Sequence, residues 1–214
     1  MYLTSSSSTP PAQAVEFLVS AAARRQFPGP VGAELAILGR SNSGKSSLIN
    51  RLLGRRGLAR TGAAPGRTRQ INFFRVVSRP GGQPFLLADL PGYGFAVGPR
   101  AQVAGWRALI SNYLTAGRPL KLALLLMDIR RDPSPDEDGL LDWLAELNIP
   151  ARVVATKADK LGRNQGQVRL ARLHGLFRTP PASPPLAFSA LTGQGREELL
   201  AGLSAAGLLE LPAR

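Results

Sequence analysis

Eight residues in the first quarter of the chain carry its most specific chemical pattern. They read Gly39-Arg40-Ser41-Asn42-Ser43-Gly44-Lys45-Ser46 and fit G-x-x-x-x-G-K-[ST] at every position. Two glycines let the backbone wrap closely around a phosphate, with its N–H groups pointing inward at a helix start whose dipole favours an anion. In this pattern the lysine reaches the β- and γ-phosphates and the final hydroxyl binds Mg²⁺. We therefore expect Lys45 to hold a nucleotide phosphate and Ser46 to bind the metal.

The residues on either side of this loop predict the elements that position it. Leu35 to Leu38 are four apolar residues in a row, which is typical of a strand buried on both faces. Apolar residues at 48, 49, 52 and 53 fit one face of a helix. An ordinary glycine-rich turn is the alternative, but the strand and helix around the loop favour a phosphate site.

Two later stretches offer further ligands for a metal and a γ-phosphate. Residues 54–70 form a long basic segment with four glycines and no periodicity, and loops of this length are usually functional or disordered. We predict a mobile switch there, with Thr68 as a second Mg²⁺ ligand; a solvated turn is the alternative. Asp89-Leu90-Pro91-Gly92 follows a predicted strand, so Asp89 could hold Mg²⁺ through water and the Gly92 N–H could approach the γ-phosphate. The glycines in residues 93–99 predict a second mobile segment there.

The tetrapeptide Thr156-Lys157-Ala158-Asp159 predicts which base is bound. A carboxylate at Asp159 can accept hydrogen bonds from both N1–H and the amino group of guanine, whereas adenine offers no such donor pair. Lys157 would lay its stem along the base plane, and the backbone of Ser189-Ala190 could donate to guanine O6. A surface turn is the alternative for the tetrapeptide.

The remaining pattern alternates strands with helices. Helices are predicted over 14–27, 100–115, 134–147, 164–177 and 196–209, and strands over 35–38, 71–77, 83–89, 121–128, 150–156 and 186–190. Strands 71–77 and 83–89 form a hairpin by the length and residues of their turn. This alternation predicts an α/β three-layer sandwich around a mostly parallel six-stranded sheet with one antiparallel strand.

Composition limits the class of protein and its partners. The 214 residues include 27 basic and 14 acidic side chains, giving a net charge of +13, and 23 of the basic residues are arginine. A polyanionic partner is one explanation, because the arginine fork pairs well with phosphate; an arginine-rich genome is the other. There are no cysteines, no long apolar run and no signal-peptide pattern, so we expect a cytoplasmic protein with no membrane association.

The motifs GRSNSGKSSLIN, LARTGAAPGRTRQINFF, DLPGYGFA, LLLMDIRRDPSPDE and TKADKL together resemble the EngB (YihA) family of bacterial ribosome-assembly GTPases. The resemblance spans residues 14 to 208. It implies a Ras-like P-loop GTPase domain over 33–210. Composition predicts that residues 1–32 are an N-terminal tail, disordered over the Ser/Pro-rich residues 4–11 and with a possible short helix over 14–27. The resemblance also implies GTP hydrolysis to GDP with Mg²⁺, assembly of the large ribosomal subunit with its RNA as partner, and a role in cell division and septation. We expect a monomer.

The resemblance also assigns contacts to this chain's own residues. It implies that the phosphates contact Gly39 to Ser46 and Ser47, and that the switch contacts are Gly66, Arg67 and Thr68. It implies that a third segment contacts Mg²⁺ and the γ-phosphate, made of Asp89, Leu90, Pro91 and Gly92. The residues that contact the base are Thr156, Lys157, Ala158 and Asp159, with Phe188, Ser189 and Ala190 behind the base. Residues 64–69 read Ala-Pro-Gly-Arg-Thr-Arg, whereas the family commonly has Thr-Pro-Gly-Arg/Lys-Thr-Gln.

Two hypotheses concern catalysis. Tyr93 stands where Ras-like enzymes carry a water-orienting glutamine, so we expect slow intrinsic hydrolysis, driven by Lys45, Mg²⁺ and loop N–H groups. The GRSN match suggests that Asn42 coordinates a catalytic K⁺, as in GTPases that use this ion in place of an arginine finger. A hydrogen bond within the loop is the alternative role for Asn42.

A cluster of arginines surrounds the predicted switch, at positions 51, 55, 56, 60, 67, 69, 75 and 79. It could bind ribosomal RNA when the nucleotide orders this surface, or it could be a solvated face.

The sequence leaves two other functions open. One is a nucleotide-gated RNA-binding module with incidental hydrolysis, and the other is a P-loop kinase for a small molecule, although no acceptor-binding lid is visible and Thr156 to Asp159 would then be unexplained.

Overall fold

A seven-stranded sheet lies at the centre of the structure, a computed structural model that describes residues 14–55, 57–59, 70–93, 100–178, 181 and 183–210. The strands are β1 (Ala14–Ala21), β2 (Glu34–Gly39), β3 (Ile71–Val77), β4 (Phe85–Asp89), β5 (Leu120–Asp128), β6 (Ala151–Thr156) and β7 (Leu186–Ala187). Their order across the sheet is β1-β3-β4-β2-β5-β6-β7. β3 pairs antiparallel with β1 and β4, and the other pairs are parallel. The mostly parallel α/β sheet with one antiparallel strand is confirmed, with seven strands where six were predicted.

The additional strand is β1, and the prediction of a helix over residues 14–27 is wrong. Residues of β1 pair along the whole of β3, with a bulge between Phe17 and Val19. The Phe17 ring meets the Phe74 ring edge-on at 5.6 Å between centroids, and Ser20 Oγ donates to Asn72 Oδ1 at 2.6 Å. The sheet therefore begins before the predicted domain boundary at residue 33, and only a 3-10 turn over Arg24–Gln26 is helical there.

Five helices cover the sheet: α1 (Lys45–Leu53), α2 (Arg100–Leu114), α3 (Pro135–Glu146), α4 (Arg163–Leu176) and α5 (Arg196–Ala205). Side chains of α1 and α5 pack on one face, and those of α2, α3 and α4 pack on the other. Alternation along β2 explains this, because Leu35 and Ile37 join the first core while Ala36 and Leu38 join the second. The predicted three-layer arrangement is confirmed.

Some element ends differ from the prediction. β7 stops at Ala187, and α5 stops at Ala205, although Leu208 beyond it is still buried. Ser134 caps α3 in a capping box with Glu137, as its sequence predicts. The lone histidine lies on α4, where His174 Nε2 is 3.0 Å from the Pro181 carbonyl oxygen. Within the described ranges, no helix combines the length and apolar character that crossing a lipid bilayer requires.

Candidate functional site

The carboxyl ends of the central parallel strands and the loops that follow them form the candidate site. β2 ends at Gly39 and α1 begins at Lys45, so the predicted phosphate loop joins a buried strand to a helix start. Gly44, at the N-cap, has φ 93°, a conformation that glycine adopts readily. The Lys45 ammonium donates to the Gly39 carbonyl oxygen at 3.2 Å, which folds its side chain back over the loop. Ser46 and Ser47 follow on the first turn of α1.

Asp89 and Lys45 place opposite charges at this buried edge. Asp89 is the last residue of β4, which pairs in parallel with β2. Burial raises the pKa of Asp89 to about 6, although the charge of Lys45 and a hydrogen bond from Asn72 oppose the rise. Burial lowers the pKa of Lys45, and Asp89 opposes that shift. Both charged forms are therefore poorly solvated, which favours binding of a charged ligand between them.

Asp89 also tests whether a magnesium ion fits this edge. Its Oδ1 is buried with no hydrogen-bond partner among the described residues. In the same described ranges, no three His, Asp or Glu side chains gather as a metal site. Mg²⁺ usually keeps several waters and takes one or two protein groups plus substrate phosphates. An unpartnered carboxylate oxygen at the end of β4, next to the strand that leads into the phosphate loop, fits that chemistry.

Gly92 lies against the phosphate loop with no room for a side chain. A Cβ at this position would lie 3.0 Å from Lys45 Nζ and 3.0 Å from both N and Cα of Ser41. The next residue ties the two segments together, because the Ser41 N–H donates to the Tyr93 carbonyl oxygen at 2.9 Å. Leu90 and Pro91, which precede Gly92, are buried. The backbone of this turn therefore reaches the loop as closely as the sequence pattern predicts.

Thr156 supports the loop from below. Its Oγ1 lies 2.6 Å from the Ser43 carbonyl oxygen and 2.9 Å from the Met127 carbonyl oxygen. The side chain is buried, and the contact with Ser43 shows that its hydroxyl faces the phosphate loop. Thr156 thus joins the ends of β5 and β6 to the loop.

The two segments predicted to recognise the base lie side by side. The Ala158 N–H donates to the Phe188 carbonyl oxygen at 3.1 Å, and Ser189 Oγ donates to Asp159 Oδ1 at 2.6 Å. This hydrogen bond is the main cause that lowers the pKa of Asp159, so the carboxyl is ionised at neutral pH. The Ser189 N–H donates to the Gln194 carbonyl oxygen, which leaves Ala190 as the available backbone donor of the predicted pair.

A cleft of about 290 Å³ lies beside the phosphate loop. Asn42 is exposed, has φ 62° and lines this cleft together with Asp128 and Lys157. Lys157 Nζ is 3.1 Å from Asp128 Oδ2, so its ammonium is held toward the cleft. Asp128 was missed in the sequence, although its place at the end of a buried strand matches that of Asp89 and could have revealed it.

Tyr93 and Glu137 were not recognised as a pair in the sequence. The Tyr93 side chain is 3% exposed and packs in the core beneath α2 and α3. Its hydroxyl donates to Glu137 Oε1 at 3.3 Å, and Glu137 is itself 2% exposed. No local pattern in the sequence indicates that these residues meet, because they are 44 positions apart.

Several predicted residues lie outside the described parts of the chain. These are the tail over 4–11, the segment 94–99, the switch residues Gly66, Arg67 and Thr68, and the arginines at 56, 60 and 69. The side chains of Val103 and Trp106, which the sequence places close to one face of the amphipathic helix predicted over 100–115, are outside them as well. Of the remaining basic cluster, Arg79 forms an ion pair with Glu210, and Arg51 lies against Gly193 beside α5.

Known proteins resemble this chain along most of its length. A family model described as a 50S ribosome-binding GTPase matches residues 34–157. A probable GTP-binding protein EngB from Syntrophotalea carbinolica is 44% identical over 194 residues, covering 91% of this chain and 91% of the relative. Another, from Pelotomaculum thermopropionicum, is 43% identical over 185 residues, covering 86% of this chain and 91% of the relative.

Solved structures agree with these relatives. The crystal structure of a probable GTP-binding protein EngB has a TM-score of 0.63 at 26% identity and covers 81% of this chain and 97% of its own. The crystal structure of Era in complex with MgGDPNP and part of 16S ribosomal RNA has a TM-score of 0.62 at 24% identity, covering 85% of this chain and 57% of its own; this similarity is one of fold. Because relatives at this identity match about nine-tenths of its length, the chain belongs to the EngB family of GTP-binding proteins, with a GTPase domain of the P-loop fold.

Proposed function

We propose that this chain binds GTP and GDP with Mg²⁺ at the site described above, hydrolyses GTP slowly and acts in assembly of the large ribosomal subunit. We also propose that the protein is cytoplasmic and monomeric and has a role in normal cell division and septation. One observation carries it: Lys45, Asp89 and Asp159 belong to three separate motifs, yet Lys45 follows β2, Asp89 ends β4 and Asp159 follows β6, all at the same edge of one sheet.

In this proposal the phosphates lie in the loop from Gly39 to Ser46, with Ser47 at the α-phosphate. Backbone N–H groups of the loop and the Lys45 ammonium would neutralise their charge, since a helix start and a desolvated cation both favour an anion. Ser46 and, through water, Asp89 would hold Mg²⁺, with Thr68 as a further ligand. When bound, Mg²⁺ would act as a Lewis acid that withdraws negative charge from the phosphate oxygens.

The base would bind at the paired segments 156–159 and 188–190. An ionised Asp159, held by the Ser189 hydroxyl, would accept from the two donors of guanine, and the Ala190 N–H would donate to O6. Lys157 would cover one face of the base with its stem, while its ammonium remains near Asp128. Adenine would leave Asp159 without donors, which disfavours its binding.

Slow hydrolysis follows from what lies near the γ-phosphate position. The Tyr93 hydroxyl donates to Glu137 and its ring is buried in the core, so this side chain is not available to orient an attacking water. The remaining contributions are electrostatic, from Lys45, the loop N–H groups and the Gly92 N–H. A partner that completes the site would then accelerate the reaction, and K⁺ held at Asn42 is one candidate for such a contribution.

Ribosome binding is supported by the description of the matching family model and by the net charge of +13. Arginine contacts to ribosomal RNA would be sensitive to salt, because binding releases counterions from the phosphates. Arg55 comes just after Gly54, the C-cap of α1, and is exposed. Arg56 is its neighbour in the sequence, so this pair is suited to a test of the contact.

Sedimentation with large-subunit particles tests the function. We expect the protein to pellet with the particles in a non-hydrolysable GTP analogue and to remain largely in solution with GDP or without nucleotide. The double substitution Arg55→Glu and Arg56→Glu should weaken pelleting but leave nucleotide affinity unchanged. The matched control, Arg163→Glu with Arg172→Glu on the exposed surface of α4, makes the same change in charge and should pellet normally. Absence of pelleting in all three nucleotide states would contradict the ribosomal role.

A second measurement separates a stimulated GTPase from an RNA-binding module whose hydrolysis is incidental. Single-turnover hydrolysis is compared with and without large-subunit particles. A stimulated GTPase hydrolyses faster with particles, whereas an incidental activity proceeds at the same rate while binding still depends on the nucleotide.

A further inference from the structure

Glu137 is a buried carboxylate, outside the nucleotide motifs, that contacts two parts of the structure. Its Oε2 accepts from the Ser134 N–H at 2.9 Å and from the Ser134 hydroxyl. The first of these contacts is one half of the capping box of α3, whose other half runs from the Glu137 N–H to the Ser134 side chain. Its Oε1 accepts from the Tyr93 hydroxyl at 3.3 Å, a contact that capping does not require. Burying a carboxylate is unfavourable unless both of its oxygens accept hydrogen bonds. The Tyr93 hydroxyl supplies the hydrogen bond to the second oxygen.

The Tyr93 contact closes a ring that includes the phosphate loop. From Glu137 the ring passes to Ser134, whose Oγ accepts from Arg40 Nη1 at 3.4 Å. Arg40 forms a parallel bridge with Tyr93, and the adjacent Ser41 N–H donates to the Tyr93 carbonyl oxygen at 2.9 Å. Tyr93 is thus fixed to the phosphate loop through its backbone and to the start of α3 through its hydroxyl.

The consequence of this ring falls on Gly92. This residue directly precedes Tyr93, and its Cβ position lies 3.0 Å from Lys45 Nζ, so a displacement of Tyr93 moves the Gly92 N–H relative to the lysine. We propose that Glu137 is a positioning residue for recognition of the γ-phosphate, because it holds Tyr93 and thereby sets where the Gly92 N–H meets GTP. This inference rests on the proposed function, which assigns the γ-phosphate to Lys45 and Gly92.

The inference predicts an effect on GTP that GDP does not share. GDP lacks the γ-phosphate, so misplacement of Gly92 leaves its contacts intact. Loss of one hydrogen bond to a buried carboxylate should weaken binding of a non-hydrolysable GTP analogue about tenfold and change the affinity for GDP less than about twofold. Glu137→Gln keeps the size of the side chain, and with its single carbonyl oxygen on the two Ser134 donors it turns an NH₂ group toward Tyr93, so the hydroxyl loses its acceptor. Tyr93→Phe keeps the buried ring, so both variants retain the core packing.

Calorimetric titration of the full chain with the GTP analogue and with GDP, both in Mg²⁺, tests this. The unaltered protein is compared with Glu137→Gln, Tyr93→Phe, the double variant and Glu146→Gln. Glu146 ends the same helix and is exposed, so its substitution removes the same charge without touching Tyr93. We expect the ratio of the two affinities to change about tenfold in both single variants, to be unchanged in Glu146→Gln, and to change no further in the double variant because both substitutions break one contact.

Other outcomes overturn the inference. If the single variants unfold at a lower temperature but keep the ratio of affinities, Glu137 serves only as a helix cap. If both nucleotides are weakened equally, the ring supports the phosphate loop as a whole and not the γ-phosphate contact. If the unaltered protein binds neither guanine nucleotide, the proposed function itself fails. If the unaltered protein binds both nucleotides but the variants keep its ratio of affinities, only the inference about Glu137 fails.

Discussion

The Ser189 hydroxyl lies 2.6 Å from Asp159 Oδ1 and donates a hydrogen bond to it. These residues are 30 positions apart, and the contact joins the loop after β6 to the loop after β7. Because the Ser189 hydroxyl lowers the pKa of Asp159, the carboxylate is held both in place and in its charged form. In the proposed function, recognition of the base by Asp159 would therefore depend on Ser189 as well.

The first prediction concerns base specificity. Asp159→Asn removes the charge and replaces one of the two acceptor oxygens with an NH₂ donor, so one guanine donor loses its partner and the affinity for GTP should fall about a hundredfold. Calorimetric titration with GTP and ATP measures this. Asp142→Asn is the control, since Asp142 pairs with Arg178 on the surface of α3, and it should leave GTP affinity unchanged. Equal binding of GTP and ATP by the unaltered protein would contradict the assignment of Asp159.

The second prediction concerns K⁺. If Asn42 coordinates this ion, GTP turnover should be at least about tenfold faster in KCl than in NaCl, the scale of other single electrostatic contributions to a transition state. Asn42→Ala should abolish the difference between the two salts.

A matched control is available for this measurement. Asn148 shares the left-handed backbone of Asn42, with φ 55° against 62°, but it follows α3 and is exposed. Asn148→Ala should retain the salt dependence. Equal turnover of the unaltered protein in KCl and NaCl would dismiss the K⁺ hypothesis and favour a loop hydrogen bond as the role of Asn42.

The third prediction concerns the pH dependence of stability. Burial by itself raises the pKa of Asp128, but hydrogen bonds from Arg130 and Lys157 outweigh it and leave the pKa well below the ordinary 3.8. A carboxyl whose pKa is lower in the folded state stabilises the protein above its unfolded pKa, and the contribution disappears as the pH falls below that value. Asp128→Asn should therefore lower the free energy of unfolding by about 1–3 kcal/mol at pH 7.

The difference between the unaltered protein and Asp128→Asn should shrink as the pH falls below about 4, where the unfolded carboxyl becomes protonated. Urea unfolding at a series of pH values measures it. A difference that is the same at pH 7 and pH 3 would show that the charge of Asp128 does not provide the stabilisation.

The fourth prediction separates stability from the site. Glu34, at the opposite end of β2 from the phosphate loop, is fully buried and pairs with Arg118 at 2.7 Å. Tyr113 also donates to Glu34, at 3.0 Å. Arg118→Ala leaves this carboxylate without its cation and should lower the free energy of unfolding by about 3–5 kcal/mol.

Nucleotide affinity at low temperature, where the variant is still folded, should remain unchanged, because Arg118 lies far along the sheet from Lys45. Arg178→Ala serves as the control, since its ion pair with Asp142 is exposed and should contribute little to stability. Equal losses of stability in Arg118→Ala and Arg178→Ala would contradict the importance of burial.

Local sequence accounts for the motifs and most of the elements. The loop from Gly39 to Ser46 depends on its own glycines, and the helix at Pro135 begins where Ser134 and Glu137 predict a capping box. The four strands from 35–38 to 121–128 were predicted from short apolar runs that are buried on one or both faces. Such features are specified within a few residues of each other, so the sequence alone determines the fold class, the nucleotide motifs and the family.

Tertiary contacts decided the features that depend on residues far apart in the chain. Residues 14–21 contain helix-favouring Ala, Leu and Glu, but β3 offers a full edge of backbone donors and acceptors, and pairing with it made them a strand. The contact of Tyr93 with Glu137 and that of Asp159 with Ser189 likewise join residues far apart in the chain. Long-range hydrogen bonds form only once the sheet has brought distant segments together, which is why local patterns in the sequence carry no sign of them.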